Sequence, residues 1–345
     1  MFRPLSTTAL LLAAPPAFAE PPRVVADVAP VHSLVAQVME GVGSPSLLVE
    51  PGGDVHHLAM RPSVARALEQ AQLVVQVGPE LTPWLAEPLE RISDGTTVLT
   101  LLQAPGWEPR RFDEAEDSVG EATPAGADAT HDGEHDHEED HGHGDNHGHE
   151  DDHDHEDTHG HDDHDHAEEG HAHDGIDPHA WLDPRIAAVW VEAIRAALTE
   201  SDPDNADTYA RNAAAATDRL AALEEEVSRR LLALPTGGWI APHAAYGYFE
   251  DRFSFPSSGA VSDVEDAAPG PAHLAELRAA VADGSVTCVL SGAGGDTRPA
   301  EMLTSGSAAG TGTLDATGAG LEPGPALYGD LLTGIADALE GCLAP

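Results

Sequence analysis

The order of apolar runs predicts an α/β protein of two lobes, each built on a parallel sheet, joined by one long rigid helix. Three observations lead there. Residues 23–101 alternate short β-branched runs with helical patterns, and residues 237–343 do so again. Between them lies the longest helical periodicity in the chain, over about 203–234. Strand, helix, strand, helix implies parallel strands with helices on both faces.

In the first half, RVVADVAPV (23–31) reads as a strand. VHSLVAQVM follows it, with Val31, Leu34, Val35 and Val38 at helical spacing. SLLVEP (46–51), LVVQVG (73–78) and TVLTL (97–101) are further strands. RPSVARALEQAQ (61–72) is a helix with Pro62 in its first turn. Asp183-Pro184 forms a cap and first turn, and AAVWVEAIRAAL (187–198) continues the helix. Then Tyr209, Ala213, Ala216, Leu220, Leu223, Val227, Leu231 and Leu234 step by three or four. A helix over 203–234 would run about 45–48 Å, long for packing on one sheet and suited to crossing between two domains. The second half has strands at GGWIAP (237–242) and VTCVLS (286–291). Its helices begin at AAYGYFEDRF and cover 272–282 and 326–343. In open sheets of this kind ligands bind beyond the C-terminal strand ends, so two such lobes would face each other across a cleft.

Composition narrows the class. The formal net charge is −45, and all 16 basic residues are Arg. Nucleic acid and anionic lipid are poor partners for such a chain, whereas metal cations or a basic partner suit it. MFRPLSTTALLLAAPPAFAE has a basic start, an apolar run and an Ala-Phe-Ala cleavage site, so residues 1–19 are expected to be an export signal. No Cys follows it, so a free, soluble, periplasmic product without a lipid anchor is expected. An even pair of cysteines, Cys288 and Cys342, suggests a disulfide in an oxidising compartment; their spacing is too long for a C-x-x-C metal site.

From about 112 to 174 the patterning stops. This segment has no Arg and few apolar residues, yet it carries 15 of the 21 histidines. They are His131, His135, His137, His141, His143, His147, His149, His153, His155, His159, His161, His164, His166, His171 and His173. Such a composition cannot bury enough surface to offset its ordering entropy, and is expected to be a disordered His/Asp-rich insertion offering many weak metal sites. The expected organisation is thus signal 1–19, N-terminal lobe 20–202 with the insertion, connecting helix 203–234, and C-terminal lobe 235–345.

Six histidines lie outside the insertion. His56 and His57, in PGGDVHHLAMRPS, follow the second strand. His179, in DPHAWLDP, precedes a capped helix, and His243, in WIAPHAAYGYF, ends a strand. All three placements point at the expected cleft, where three or four neutral imidazoles would make a tetrahedral zinc site. His32 is expected at a helix start near the cleft and His273 on the surface; Trp181 is expected to wall the site.

PGGDVHHLAMRPSVARALEQAQLVVQVGPEL, DPHAWLDP, PHAAYGYFEDRF, VTCVL, GTLDATG and the terminal GCL together resemble the zinc-uptake solute-binding proteins of bacterial ABC transporters. The resemblance runs in order over nearly the whole chain after residue 23. It implies two α/β lobes joined by one long helix, with zinc held between them by His56, His179 and His243. It also implies a disulfide between Cys288 and Cys342 and delivery to a membrane permease, and it allows for periplasmic metallochaperones. A monomer without nucleic-acid partners is expected. Three departures stand out. Val55 replaces an acid that some members carry before the first His, Ala244 replaces an Asp after the third, and SGAGGD lacks the usual acidic-aromatic character. The fourth position is left to water or to Asp315 in GTLDATG, with His57 a weaker candidate. Three imidazoles favour Zn²⁺ and tolerate Cu²⁺ or Ni²⁺, whereas Mn²⁺ favours at least two carboxylates. The rivals are a manganese or other divalent-metal binder, a pure metal buffer, and a secreted zinc hydrolase. The last is weakened because G-x-S-x-G is missing, no acid near the three histidines is placed as a general base, and H-E-x-x-H occurs only within the low-complexity insertion.

Overall fold

The computed structural model describes residues 20–91, 95–112, 175–235, 237–263 and 269–344. The expected export signal and the fifteen histidines of the insertion lie outside them.

The N-terminal half contains β1 (Val24–Ala26), α1 (Ala29–Val38), β2 (Ser46–Leu47), α2 (Pro62–Gln70), β3 (Leu73–Gln76), α3 (Ala86–Glu90), β4 (Thr97–Thr100) and α4 (Pro184–Ser201). Its four strands are all parallel, in the order β2-β1-β3-β4. β1 and β3 are buried throughout, as central parallel strands covered on both faces should be. The first strand is shorter than its apolar run. The Asp27 carboxylate accepts the N–H of Val28 and that of Val77, and α1 begins two residues later with Pro30 in its first turn. In α4 the Asp183 side chain accepts the Arg185 N–H at 2.7 Å, the cap that the Asp-Pro pair predicts.

α5 (Ala206–Leu231) follows a 3-10 turn at Pro203–Asn205. At 1.5 Å per residue it spans about 39 Å. Tyr209, Ala213, Ala216, Leu220, Val227 and Leu231 form its buried stripe, while Leu223 and Leu234 are half-buried. It packs on α1 and α4 and also on α9 (Leu327–Leu343) in the second half. Polar bonds fix both ends. Asn212 donates to the carbonyls of Val38 and Glu40, Arg219 donates to Gln37 Oε1, and Arg230 pairs with Asp337 and Glu340 of α9.

The C-terminal half adds β5 (Gly238–His243), α6 (Gly247–Phe253), β6 (Ala260–Ser262), α7 (Pro271–Asp283), β7 (Val286–Gly292), α8 (Arg298–Thr304) and β8 (Gly310–Leu314) before α9. The sheet order, β6-β5-β7-β8 and all parallel, repeats that of the first half. Cys288 on β7 and Cys342 on α9 form a disulfide with Cα atoms 5.5 Å apart. β8 passes close by, and a Cβ at Gly310 would lie 2.8 Å from the Cys342 carbonyl oxygen, so only glycine lets the strand approach.

One hydrophobic core runs from β1 and α1 through α4 and α5 to β5 and α9. Buried polar bonds cross between the halves as well. Ser33 Oγ donates to the Pro325 carbonyl and accepts the Tyr328 N–H, Tyr328 Oη donates to the Trp181 carbonyl at 2.6 Å, and Arg252 makes two bonds to Asp183. Among the described residues no helix is long and apolar enough to cross a membrane.

Candidate metal centre

In both sheets the strand order reverses beside the first strand, between β1 and β3 and between β5 and β7, which is where open α/β sheets bind ligands. His243 is the last residue of β5 and is 7% exposed. His56 lies in the loop between β2 and α2, and His179, 3% exposed, immediately precedes the 3-10 turn Ala180–Leu182. The structure sets His179 beside each of the other two. The ring centroids of His179 and His243 are 5.8 Å apart, and those of His56 and His179 are 6.4 Å apart. Trp181, fully buried, sets its ring edge-on to His179 at 5.3 Å.

Among the described residues no group of three or more His, Cys, Asp or Glu is already close enough to hold a metal ion. The ring separations show how much is missing. Two imidazoles sharing one tetrahedral zinc, with Zn–N bonds of about 2.0–2.1 Å, place their centroids about 5 Å apart, roughly 1 Å less than in the two pairs measured here. The donor set suits zinc; its spacing is slightly expanded.

Two of the histidines are held the same way. Asp54 Oδ1 accepts the N–H of His56 at 2.8 Å and that of His57 at 3.0 Å. Asp177 Oδ1 accepts the N–H of His179 at 3.0 Å and lies 2.8 Å from its Nδ1. A carboxylate only accepts, so His179 carries its proton on Nδ1, and Nε2 keeps the lone pair that a metal needs. Asp177 is completely buried; the Arg110 guanidinium lies 3.6 Å from its Oδ2 and also bonds Asp251. Tyr248, at the start of α6, donates its hydroxyl to the Asp177 carbonyl and accepts the Arg110 N–H, and burial raises its pKa. Sequence reasoning missed Asp54, Asp177 and Arg110. The signal for the first two was present as a repeated Asp-x-His, in Asp54-Val55-His56 and Asp177-Pro178-His179.

The remaining candidates separate. His57 has a side chain 74% exposed and pairs with Asp54 Oδ2 at 3.2 Å. Val55 is buried in the core, and its carbonyl accepts from Trp84, so it turns away from the cleft. Asp315 uses Oδ1 to accept the N–H groups of Thr317 and Gly318, and Oδ2 to accept that of Gly320 at 3.2 Å. This loop is fastened beside the histidines, because Trp181 Nε1 donates to the Ala316 carbonyl at 2.8 Å. His32 is buried in α1 with Nε2 3.2 Å from the Pro45 carbonyl, and burial lowers its pKa. His273 is half-buried rather than on the surface, its Nε2 2.8 Å from the Ala260 carbonyl.

Two matching α/β lobes bridged by one helix, with imidazoles facing each other between them, have the architecture of a two-lobe metal-binding protein. Comparison with known proteins agrees. The family model for ZnuA, the zinc-uptake complex component A, periplasmic, matches residues 24–342, and the chain belongs to that family. It is 43% identical to the high-affinity zinc uptake system protein ZnuA of Paracoccus denitrificans, over 99% of both chains. It is 36% identical to the protein of that name from Brucella suis, over 93% of this chain and 91% of the relative. Among solved structures, one of ZnuA superposes with a TM-score of 0.66 at 19% identity, covering 92% of this chain and 99% of the other. A Mn-bound periplasmic metal-binding protein from Candidatus Liberibacter asiaticus superposes with a TM-score of 0.64 at 18% identity, with the same coverage. The fold is thus that of periplasmic metal-binding proteins, and the family is one of transport rather than catalysis.

Proposed function

We propose that the chain captures Zn²⁺ in the periplasm through His56, His179 and His243 and passes it to the membrane permease of an ABC importer. The observation that carries this reading is the approach of three imidazoles from three separate segments, one of them with its tautomer set by a buried carboxylate. Three nitrogen donors and a fourth position taken by water or Asp315 favour zinc over manganese, which prefers oxygen. The three backbone donors that already occupy the Asp315 carboxylate favour water. The zinc-uptake names of the relatives support the same metal.

The protein acts as a binding component and not as an enzyme, is exported by residues 1–19 without a lipid anchor, and works as a monomer. Periplasmic metallochaperones donate zinc to it. The His-rich insertion, which in sequence ends a few residues before His179, serves as an accessory that concentrates cations on many weak, exchanging sites.

Competition titration of zinc against a chelator, with His56→Ala, His179→Ala and His243→Ala, tests the assignment. Each variant is expected to lose the tight site, at least a hundredfold in affinity. Retention of tight zinc by any one of them, or an X-ray absorption shell dominated by oxygen, would remove that residue or that metal from the proposal.

A further inference from the structure

The cleft holds more room than an ion requires. A cavity of about 600 Å³ borders His243 and is lined by Asp54, Ser291, Gly292, Thr317 and Gly320 among others. A single water occupies about 30 Å³ of liquid, while sites for small organic molecules run from about 300 to 1,000 Å³. The room comes from this chain's own residues. Gly292–Gly295 on one side, Gly52 and Gly53 on another, and Ala319 and Gly320 on a third contribute no side chain larger than a methyl group. Resting on the zinc reading above, we propose that the site takes zinc together with one small nitrogen-donor chelator of amino-acid size, which fills the coordination that three imidazoles leave.

The lining selects the class of chelator. Its charged groups among the described residues are the carboxylates of Asp54 and Asp296, and no Arg lines it. Ser262, Ser291 and Thr317 add hydroxyls. A polycarboxylate would enter against like charge, with no guanidinium to receive it. An amino acid such as histidine instead brings a neutral imidazole and an amine that releases its proton to solvent as it binds the metal, and its single carboxylate meets hydroxyls and backbone N–H groups. One donor completes a tetrahedral shell, and a second expands it to five-coordinate, which zinc accepts.

The full chain, loaded with one zinc per molecule and analysed by native mass spectrometry with L-histidine or citrate, tests this. The expected result is a ternary complex of protein, zinc and one histidine, and no citrate adduct. Gly292→Leu and Gly320→Phe put bulk into the cavity at two positions that are not among the three histidines. A Cβ at Gly292 meets only Pro242, at 3.9 Å, and one at Gly320 meets nothing within 4 Å. Both variants are expected to lose the histidine adduct and keep the zinc. Zinc without histidine in the parent, a citrate adduct in its place, or an undiminished histidine adduct in both folded variants would overturn the proposal. Failure of the underlying zinc reading is separable, because His179→Ala would then retain its first zinc.

Discussion

A carboxylate placed two residues before a histidine does two jobs in this molecule. Asp54 and Asp177 each accept the N–H of the histidine that follows, which turns the backbone, and Asp177 also fixes the ring. Removing the charge from Asp177 leaves a buried neighbour for His179 that no longer enforces one tautomer. Asp177→Asn is therefore expected to weaken zinc binding about 10–100-fold while the fold persists, as judged by competition titration beside circular dichroism. Unchanged affinity would show that the tautomer is set by something else. Asp27 makes a different prediction. Its completely buried carboxyl is pushed from 3.8 up to about 7, chiefly by loss of water, against hydrogen bonds from Val77 and Val28. Because the folded pKa is the higher one, the folded state retains the proton that the unfolded chain gives up above about pH 4. Asp27's contribution to stability is thus fullest at low pH and is lost as pH rises through about 7, with a slope of about 1.4 kcal/mol per pH unit within that window. Asp27→Asn removes this slope, so urea midpoints of the variant should gain on the parent between pH 5 and 7. Parallel curves would refute it.

Among the elements, those with strong patterning were legible and those made of small residues were not. α5 appeared in the sequence because its apolar stripe repeats every three or four residues along its length. β8, GTGTL, escaped because Gly310 and Gly312 read as a turn. Gly310 is glycine because β8 runs against the Cys342 backbone there, and a Cβ at Gly312 would lie 2.9 Å from Leu290 Cδ2. β6 escaped for a related reason, as its short run follows Ser-, Pro- and Gly-rich chain. The disulfide beside β8 ties β7 to α9 across a sequence separation of 54 residues. On the loop-entropy model, closing such a loop destabilises the unfolded chain by about 4 kcal/mol. Reduction, or Cys288→Ser with Cys342→Ser, should lower the unfolding free energy by about that amount in urea titrations and leave the first zinc bound. Cys288 lies near the start of β7, whereas the cleft opens beyond its C-terminal end, so loss of zinc on reduction would contradict this separation of roles.

At the scale of the whole molecule, a continuous core and buried polar bonds join the two halves, which favours closure on a metal by the loops carrying His56 and His179 over a wide hinge. The ends of the His-rich insertion are pinned side by side: Arg111 bridges Ile176, Phe112 N–H donates to the Gly175 carbonyl, and Asp177 N–H donates to that of Arg110. Deleting residues 131–173 should therefore spare the fold, leave one tight zinc and abolish several weak ones in a metal titration. Loss of the tight zinc would place the main site in the insertion.

Read alone, the sequence determined the α/β class, the long helix, the disulfide partners and the histidines worth testing, because periodicity, caps and rare residue types are local properties of the chain. Tertiary structure decided which histidines meet, that Val55 turns into the core, that Asp315 is bound up in its own loop, and that Arg110 and Tyr248 back Asp177. Those outcomes depend on distances between residues far apart in the chain, which only the packed sheets and helices set.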